Sequence, residues 1–386
     1  MIHDELKYRI SNALGHVPTV EQEQAMDVFA RFMTDRREQV VMILRGSAGT
    51  GKTTLAAAIV KSLTDLKQKI ILLAPTGRAA KVFSLYAGHP AYTIHRRIYR
   101  QKSAGDLSAF NLNDNLNRDT LFLVDEASMI ASSSHALPQQ GESERVSFGS
   151  GCLLDDLMQF VYNGQNCRLL LIGDRAQLPP VGEEESPALS AAFLRGYGME
   201  VYECDLNQVL RQSESSGILW NATMLRRLIS ADEMGDFPRF RLAGFPDVRV
   251  VPGDELIELL EESYYRSGVD QTIVVTRSNR RANIFNNGIR GRILQYEEGL
   301  CSGDQLIVVK NNYYWLEQTQ PQAPQQEESM PGASFIANGD VCVVRRYRNE
   351  RTLYGFRFAD ATLQFPDFDD MEVETTRSEE HTSELQ

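Results

Sequence analysis

The chain has 386 residues, 42% of them hydrophobic and 24% charged, which is enough for two or more domains with buried cores. Its formal net charge of -12 excludes a protein that is basic throughout, although a local basic channel stays compatible with it. No apolar run approaches the roughly 18 residues that span a bilayer, and the first ten residues mix acids and bases, so neither membrane insertion nor export is indicated.

The five cysteines and six histidines are scattered along the chain. The cysteines are odd in number and form no C-x-x-C pair, which argues against a disulfide framework or a zinc site. The histidines form no cluster with the spacing of metal ligands. We therefore expect a protein of the reducing cytoplasm without a His/Cys metal centre.

The first informative stretch is a glycine-rich loop between a predicted strand and a predicted helix. Val40 to Leu44 has the pattern of a buried strand, and the residues from Thr54 onward form an Ala- and Leu-rich helical pattern. The loop GSAGTGKT matches G-x-x-x-x-G-K-[ST], in which backbone N–H groups and a helix N-terminus surround phosphates. Lys52 is expected to reach the β- and γ-phosphates of ATP, and Thr53 to bind Mg²⁺. The residues assigned to the nucleotide are Gly46, Ser47, Ala48, Gly49, Thr50, Gly51, Lys52, Thr53 and Thr54. A glycine-rich turn with a solvated lysine is the alternative.

Two further predicted strands, in TLFLVDEASMI (120–130) and CRLLLIGDRAQLPPVG (167–182), end in polar residues. Carboxyl ends of parallel strands form the ligand-bearing edge of an open α/β sheet. There Asp125 is expected to hold Mg²⁺, Glu126 to polarise the attacking water, and Gln177 to contact both the γ-phosphate and that water. Helix caps and strand-ending turns are the alternatives for these residues.

Six motifs occur in the order in which superfamily 1 DNA helicases carry them. They are the phosphate loop, APTGRAAK (74–81), TIH (93–95), DEASM (125–129), GDRAQLPPVG (173–182) and LNQVLRQ (206–212). The chain resembles the RecD-like/Dda-like group from about Thr19 to about Asp370. This resemblance implies a monomeric, DNA-dependent ATPase that uses ATP and Mg²⁺ to move 5′ to 3′ along single-stranded DNA and to unwind forked duplex. Its protein partners do not follow from the sequence.

The resemblance also assigns two residues to the nucleotide. Gln22, in T-x-x-Q-x-x-A, matches the glutamine that reads adenine in this group, and a solvated helix residue is the alternative. Arg211 matches an arginine that reaches the γ-phosphate from the second motor domain, and a surface ion pair is the alternative. Arg211 completes the predicted catalytic set of Lys52, Glu126 and Gln177.

The expected DNA channel combines hydroxyls, amides and basic groups that suit a single strand. The residues that match DNA-contacting elements of the group, or leave a strand at the same edge, are Thr76, Gly77, Arg78, Thr93, His95, Arg96 and Thr276. Arg96 belongs to the basic run HRRIYRQK. A solvated face without a role in DNA binding is the alternative for this run. Helix capping is the alternative for Thr76, and packing is the alternative for His95.

The resemblance implies an α/β fold of two RecA-like motor domains with parallel sheets, the second interrupted by an SH3-like β-barrel and incomplete at its C-terminus. We expect the first motor domain at 1–205, with a strand-splitting pin at about 98–118 and Phe110 as its candidate tip residue. The first part of the second motor domain is expected at 206–300, where QTIVV forms a strand and the residues after it a core-facing helix. The barrel is expected at 301–376, in stretches that alternate like short β-strands.

The last ten residues, RSEEHTSELQ (377–386), raise a separate expectation. One codon choice for them reproduces a widely used short-read sequencing adapter, so we predict that they are an artefact. The histidine and arginine motifs that similar helicases carry beyond the barrel do not occur after Leu300. We therefore expect a truncated copy with exposed apolar surface, poor solubility, and weak or absent ATP turnover.

Two other functions stay open on the sequence alone. The first is a P-loop ATPase without translocation, whose hydrolysis of ATP would not depend on DNA. The TIH and GDRAQLPPV stretches disfavour this function. A single-stranded DNA-binding module without enzymatic activity is disfavoured by Lys52, Asp125 and Glu126.

Overall fold

A computed structural model of the chain describes residues 2–103, 106–132, 147–208, 216–230, 237–296, 299–308, 336, 339–353, 356–366 and 370–378. The chain forms two compact units, one of residues 1–214 and 219–239 and the other of residues 215–218 and 240–386. Among the helices within these described ranges, none has the length and apolar character needed to cross a membrane.

The first unit alternates helices and strands, as expected for an α/β domain. In chain order its elements are α1 (Ile2–Leu14), α2 (Val20–Thr34), β1 (Val40–Gly46), α3 (Lys52–Asp65), β2 (Lys69–Ala74), α4 (Gly77–Ala87), β3 (Ala91–Thr93), α5 (Ile94–Ile98), β4 (Tyr99–Ser103), β5 (Asp106–Leu112), β6 (Thr120–Val124), β7 (Ser147–Phe148), α6 (Leu153–Asn163), β8 (Arg168–Gly173), α7 (Ala191–Gly196), β9 (Glu200–Leu206) and α8 (Gly217–Ser230). Short 3₁₀ turns follow β6 at Ala127–Met129 and precede α7 at Pro187–Leu189.

Six parallel strands form the central sheet of this unit, in the order β3-β2-β6-β8-β1-β9. Strand β1 is buried along its whole length, because helices cover both faces of the sheet. Val40, Met42 and Leu44 pack into the core on one face, beneath α1, α2, α3 and α4. Val41 and Ile43 face the opposite core, which includes residues of α5, α6 and α7. The predicted α/β fold is confirmed here, and the sheet brings the ends of β1, β6 and β8 side by side.

A small antiparallel hairpin occupies the position predicted for the pin. Strands β4 and β5 pair with each other, and β7 adds to β5 in parallel. Phe110 lies within β5, opposite Gln101 and Phe148, and packs against the core beneath α5 and α6. The prediction that Phe110 forms the tip is therefore wrong, because its apolar side chain is held at the base of the hairpin.

The helical part of the second unit differs from the sequence prediction. It contains α9 (Leu256–Ser267), α10 (Asn279–Gly288) and a π-helical turn at Ile289–Ile293. The stretch predicted as a strand, QTIVV (271–275), pairs with no strand in the described ranges, and its Ile273 and Val275 are 85% and 86% exposed. No residue of α10 is buried, so the prediction of a core-facing helix is wrong, and Ile284 is exposed.

The rest of the second unit is an antiparallel sheet of β10 (Gln305–Ile307), β11 (Val341–Leu353), β12 (Phe356–Phe365) and β13 (Met371–Ser378), in that order. It fits the predicted SH3-like part. Asn349 lies within β11 at a shift in register, with φ of 57°. Arg377 and Ser378, the first two residues of the segment predicted as an artefact, pair with Ala359 and Phe358. Residues 379–386 lie outside the described residues.

Candidate nucleotide and DNA site

The loop between β1 and α3 curves around the N-terminus of α3. Gly49 and Gly51 have φ of 81° and 86°, in the left-handed region that glycine adopts without strain. The Thr50 hydroxyl donates to the Ser47 carbonyl at 2.8 Å, and Lys52 Nζ donates to the same carbonyl at 3.0 Å. The curve of the loop is therefore fixed by its own contacts.

Gly46 is required by close packing where β1 enters the loop. A Cβ atom there would lie 2.8 Å from both the Leu206 carbonyl oxygen and Thr50 Oγ1. Both neighbours are held by the sheet and the loop, so a larger residue would displace the loop. The first glycine of the motif thus keeps the loop against β9.

Three carboxylates leave the sheet beside this loop. Asp125 and Glu126 follow β6, and the buried Asp174 follows the neighbouring strand β8. Burial is the main reason that the pKa of Asp125 is raised to about 6. The carboxylate of Glu126 acts in the same direction, while the hydrogen bond from the Glu126 N–H and the ammonium of Lys52 oppose the shift. The edge therefore has negative charge that a cation would stabilise.

Lys52 is at the centre of this charge distribution. Burial lowers the pKa of its ammonium, while Asp174, Asp125 and Glu126 favour its charged form. The sheet therefore brings the predicted phosphate-binding lysine and the predicted acids of β6 to one place.

Glu126 has an unusual backbone. Its φ of 52° and ψ of 37° are left-handed, a conformation that is costly for a residue with a long side chain. The Glu126 N–H donates to Asp125 Oδ1 at 2.9 Å, and the Asp125 N–H donates to the Leu73 carbonyl. This tight turn aims two successive carboxylates away from the end of one strand.

A direct contact joins the turn after β6 to the turn after β8. The Ser128 hydroxyl donates to Gln177 Oε1 at 2.6 Å. Gln177 is otherwise exposed, so this hydrogen bond is what positions it. Because Ser128 holds the amide oxygen, the turn after β6 sets the orientation of the whole Gln177 amide, including its N–H₂ group.

Gln22 lies at the start of α2 in a capping box. Its N–H donates to Thr19 Oγ1, and its side-chain Oε1 accepts from the Thr19 N–H at 3.0 Å. The side chain is completely buried, and its Nε2 has no hydrogen-bond partner within the described part of the chain. The alternative of a solvated helix residue is therefore wrong, and Nε2 is a buried donor that these residues leave unsatisfied.

The residues present fit a magnesium nucleotide. Thr53 is partly exposed in the first turn of α3, and Thr54 beside it is exposed. No group of three or more His, Cys, Asp or Glu side chains in the described ranges is arranged to hold a metal ion. Mg²⁺ is commonly held by one or two protein oxygens together with phosphates and water. Thr53 and Asp125 are the residues that would hold it here.

The residues predicted to contact DNA after β2 begin helix α4. Thr76 is the N-cap, and its hydroxyl accepts from the Ala79 N–H at 3.2 Å. Gly77 is partly buried, and the Arg78 guanidinium is exposed in the first turn. The capping alternative for Thr76 is present, and it leaves Arg78 as the accessible cation of this element.

The next group predicted to contact DNA surrounds helix α5. Thr93 is buried, and its hydroxyl caps α5 by accepting from the Arg96 N–H. His95 is half-buried, with its ring 5.7 Å from that of Tyr99. Arg96 is exposed, 5.6 Å from the centre of the Tyr92 ring. Arg96 thus presents a guanidinium beside an aromatic surface, a combination that suits a single strand.

The structure does not test two of the predicted site residues. Arg211 lies outside the described residues. Thr276 belongs to the second unit, where its hydroxyl donates to the Ser278 carbonyl at 3.1 Å. Their roles stay predictions.

Sequence analysis assigned no role to two residues at the site. Ser128 lies between the predicted acids and the end of their motif, but its contact with Gln177 depends on how neighbouring strands are ordered. Arg226 lies on α8 and donates from Nη2 to the Ala48 carbonyl in the loop, at 2.8 Å. No motif in the sequence indicated Arg226.

Parts of the chain are similar in sequence to known proteins. Residues 31–183 match the model of a family described as an AAA domain, AAA_19. The chain is 24% identical over 308 residues to the ATP-dependent DNA helicase dda of Enterobacteria phage T4, an alignment that covers 75% of this chain and 60% of dda. It is 28% identical over 179 residues to the ATP-dependent RecD2 DNA helicase of Deinococcus radiodurans, covering 46% of this chain and 21% of that protein.

A crystal structure of Pif1 helicase from Bacteroides in complex with ADP-AlF3 and ssDNA is similar at a TM-score of 0.40 and 13% identity. That alignment covers 93% of this chain and 74% of the Pif1 chain. A TM-score this low does not establish a shared fold. The chain spans 60% or less of the length of the two helicases that it matches in sequence.

The loop, the acids of β6 and the family match define residues 31–183 as a P-loop domain of the AAA type. The order of motifs and the two related helicases then place the chain more closely. Its sequence is similar to helicases of the RecD-like/Dda-like group of superfamily 1.

Proposed function

We propose that the chain is the nucleotide-binding part of an ATP-dependent DNA helicase that moves 5′ to 3′ on single-stranded DNA and unwinds duplex. The observation that supports this most is the shared environment of Lys52, Asp125, Glu126 and Asp174 at one sheet edge. In this proposal Lys52 binds the β- and γ-phosphates, and Thr53 and Asp125 hold Mg²⁺. Glu126 orients the attacking water, and its fixed carboxylate is available as a base.

The contact between Ser128 and Gln177 supports a role for Gln177 as a γ-phosphate sensor. The Gln177 amide is held by its oxygen, so its N–H₂ group is left to donate to a phosphate. A movement of the Gln177 side chain would shift the Asp125–Glu126 turn, because Ser128 links the two by a hydrogen bond. Gln22 is proposed to donate from its unpartnered Nε2 to adenine.

The DNA-binding role rests on Arg78, Arg96 and the Tyr92 ring. Arg78 and Arg96 follow adjacent parallel strands, β2 and β3, at the edge of the sheet that also carries the nucleotide residues. Such a placement allows hydrolysis to alter the grip on a strand. The proposed partners are single-stranded and forked DNA.

Single-turnover hydrolysis of ATP by the 386-residue chain, with enzyme in excess, tests the proposal even if hydrolysis is slow. Stimulation by single-stranded DNA is expected, together with its loss in Arg78→Ala. Hydrolysis that ignores DNA would instead favour a P-loop ATPase without translocation. DNA binding without any nucleotide binding would favour a single-stranded DNA-binding module.

Direction needs a separate assay. A duplex with a 5′ single-stranded tail and one with a 3′ tail should be compared in strand displacement. Displacement confined to the 5′-tailed substrate is expected, and a preference for the 3′ tail would reverse the proposed polarity.

A further inference from the structure

Helix α8 brings an arginine to the phosphate loop. Arg226 Nη2 donates to the Ala48 carbonyl at 2.8 Å, across 178 positions of the chain. Both residues belong to the first unit. The neighbouring Arg227 is exposed and makes no comparable contact with the loop in the described ranges. The approach is therefore particular to Arg226.

The guanidinium is not fully used by this contact. Its second terminal nitrogen, Nη1, is buried and has no hydrogen-bond partner among the residues that the structure describes. A buried donor of a charged group is costly when it is left unpaired, so a native arginine in this position normally has an acceptor. Because the other arm of the guanidinium contacts the phosphate loop, a ligand bound at that loop could supply the acceptor.

A second cation lies close by. The charge of Arg226 disfavours the ammonium form of Lys52, so the guanidinium and the ammonium are near neighbours at the same loop. Two adjacent cations repel, and an anion between them removes the repulsion. The carboxylates that favour the charged form of Lys52 are Asp174, Asp125 and Glu126. Arg226 itself has no hydrogen bond to any of these acids in the described structure, so its free donor is not satisfied by them.

We propose that Arg226 binds the terminal phosphate of a bound nucleoside triphosphate and so distinguishes a triphosphate from a diphosphate. The Ala48 carbonyl holds one arm of the guanidinium in place, and Nη1 donates to the phosphate oxygen. A fixed planar group with several donors suits a phosphate better than a flexible ammonium does. This inference rests on the proposed nucleotide site, and it adds to that site a residue from α8.

The test compares the affinity of the 386-residue chain for a fluorescent, slowly hydrolysed ATP analogue and for the matching ADP analogue. Arg226→Ala is expected to weaken triphosphate binding by about tenfold or more, the loss typical of one charge-assisted hydrogen bond. Diphosphate binding is expected to change by less than about threefold. Arg226→Lys keeps the charge without the planar group. Its affinity for the triphosphate analogue should lie between that of Arg226→Ala and that of the unaltered chain.

Arg227→Ala is the matched control, because it removes an exposed arginine from the same turn of α8. Circular dichroism and thermal unfolding of each variant identify a loss of fold. An equal loss for both nucleotides, unchanged binding, or tighter triphosphate binding in Arg226→Ala would each overturn the inference. If the unaltered chain binds neither analogue, the proposed nucleotide site itself is wrong, and that result appears before any variant is compared.

Discussion

The Ser128 hydroxyl donates to Gln177 Oε1 at 2.6 Å and so joins the turn after β6 to the turn after β8. If Gln177 responds to the γ-phosphate, this hydrogen bond is the route to the carboxylates of Asp125 and Glu126. The contact is thus expected to matter for nucleotide response more than for folding.

Ser128→Ala should free the Gln177 side chain and reduce the preference for a triphosphate over a diphosphate analogue. Gln177→Ala should have at least as large an effect, because it also removes the amide proposed to contact the phosphate. The double variant should be little worse than Gln177→Ala alone, because the Ser128 contact is already lost in that variant. Affinity for the two analogues measures this coupling. Ser132→Ala is the control, since its hydroxyl binds Glu183 instead. Strictly additive losses would show that Ser128 and Gln177 act separately.

Glu126 is expected to combine a catalytic role with backbone strain. Glu126→Gln should leave nucleotide binding intact and abolish single-turnover hydrolysis, because the amide is a poor base. Glu126→Asn should also abolish hydrolysis but fold more stably than Glu126→Gln, by roughly 0.5–1 kcal/mol, since Asn tolerates the left-handed region better.

The free energy of unfolding in urea measures the difference between the two Glu126 variants. Both remove the same charge, so the comparison isolates the backbone. Equal stability of the two variants would mean that the turn is not strained, and retained hydrolysis in Glu126→Gln would move the role of base to another residue.

Much of the first unit could be predicted from local sequence. β1, the loop and α3 follow from an apolar run, three glycines and an Ala-rich helix, and each signal lies within about 25 residues. The ends of β6 and β8 were predicted in the same way. Arg226 was not, because its contact with Ala48 joins residues 178 positions apart, which a local pattern does not contain.

The second unit shows the limit of pattern alone. QTIVV (271–275) has the pattern of a strand, but a strand is stable only with a neighbour to pair with, and no described strand pairs with it. At Asn349, a residue typical of turns occupies a register shift instead, because β11 continues through it to pair with β12. Pairing partners, which the local pattern does not contain, decided both outcomes.

Gln22 offers a test of base recognition. Gln22→Ala should weaken binding of an ATP analogue while leaving a GTP analogue nearly unaffected, since the unpartnered Nε2 is the group proposed to reach adenine. Thr19→Ala is the matched control, because it breaks the other half of the capping box and should cost about 1 kcal/mol of stability without changing base preference. Parallel losses for both bases would restrict Gln22 to the capping of α2.

His95 should make the first unit less stable in mild acid. Burial lowers the pKa of its imidazole below the ordinary value, although Asp156 opposes this shift. Since the unfolded chain takes up the proton at higher pH than the folded chain does, stability falls as the pH drops below the unfolded pKa. The loss continues until the folded imidazole is itself protonated.

His95→Asn should flatten the dependence of unfolding free energy on pH between about 7 and 5, the range below the ordinary histidine pKa. His16→Asn provides the control, because His16 is exposed. Urea unfolding at several pH values measures the slope. An identical slope in His95→Asn and the unaltered chain would place the acid sensitivity elsewhere.

The central claim is that Lys52 and its loop bind a nucleotide. A titration of the 386-residue chain with a fluorescent ATP analogue and Mg²⁺, repeated for Lys52→Ala, tests it most directly. Saturable binding by the unaltered chain that is lost in Lys52→Ala is the predicted result. Absence of saturable binding, or equal binding by both proteins, would contradict the assignment of the loop as the ATP site.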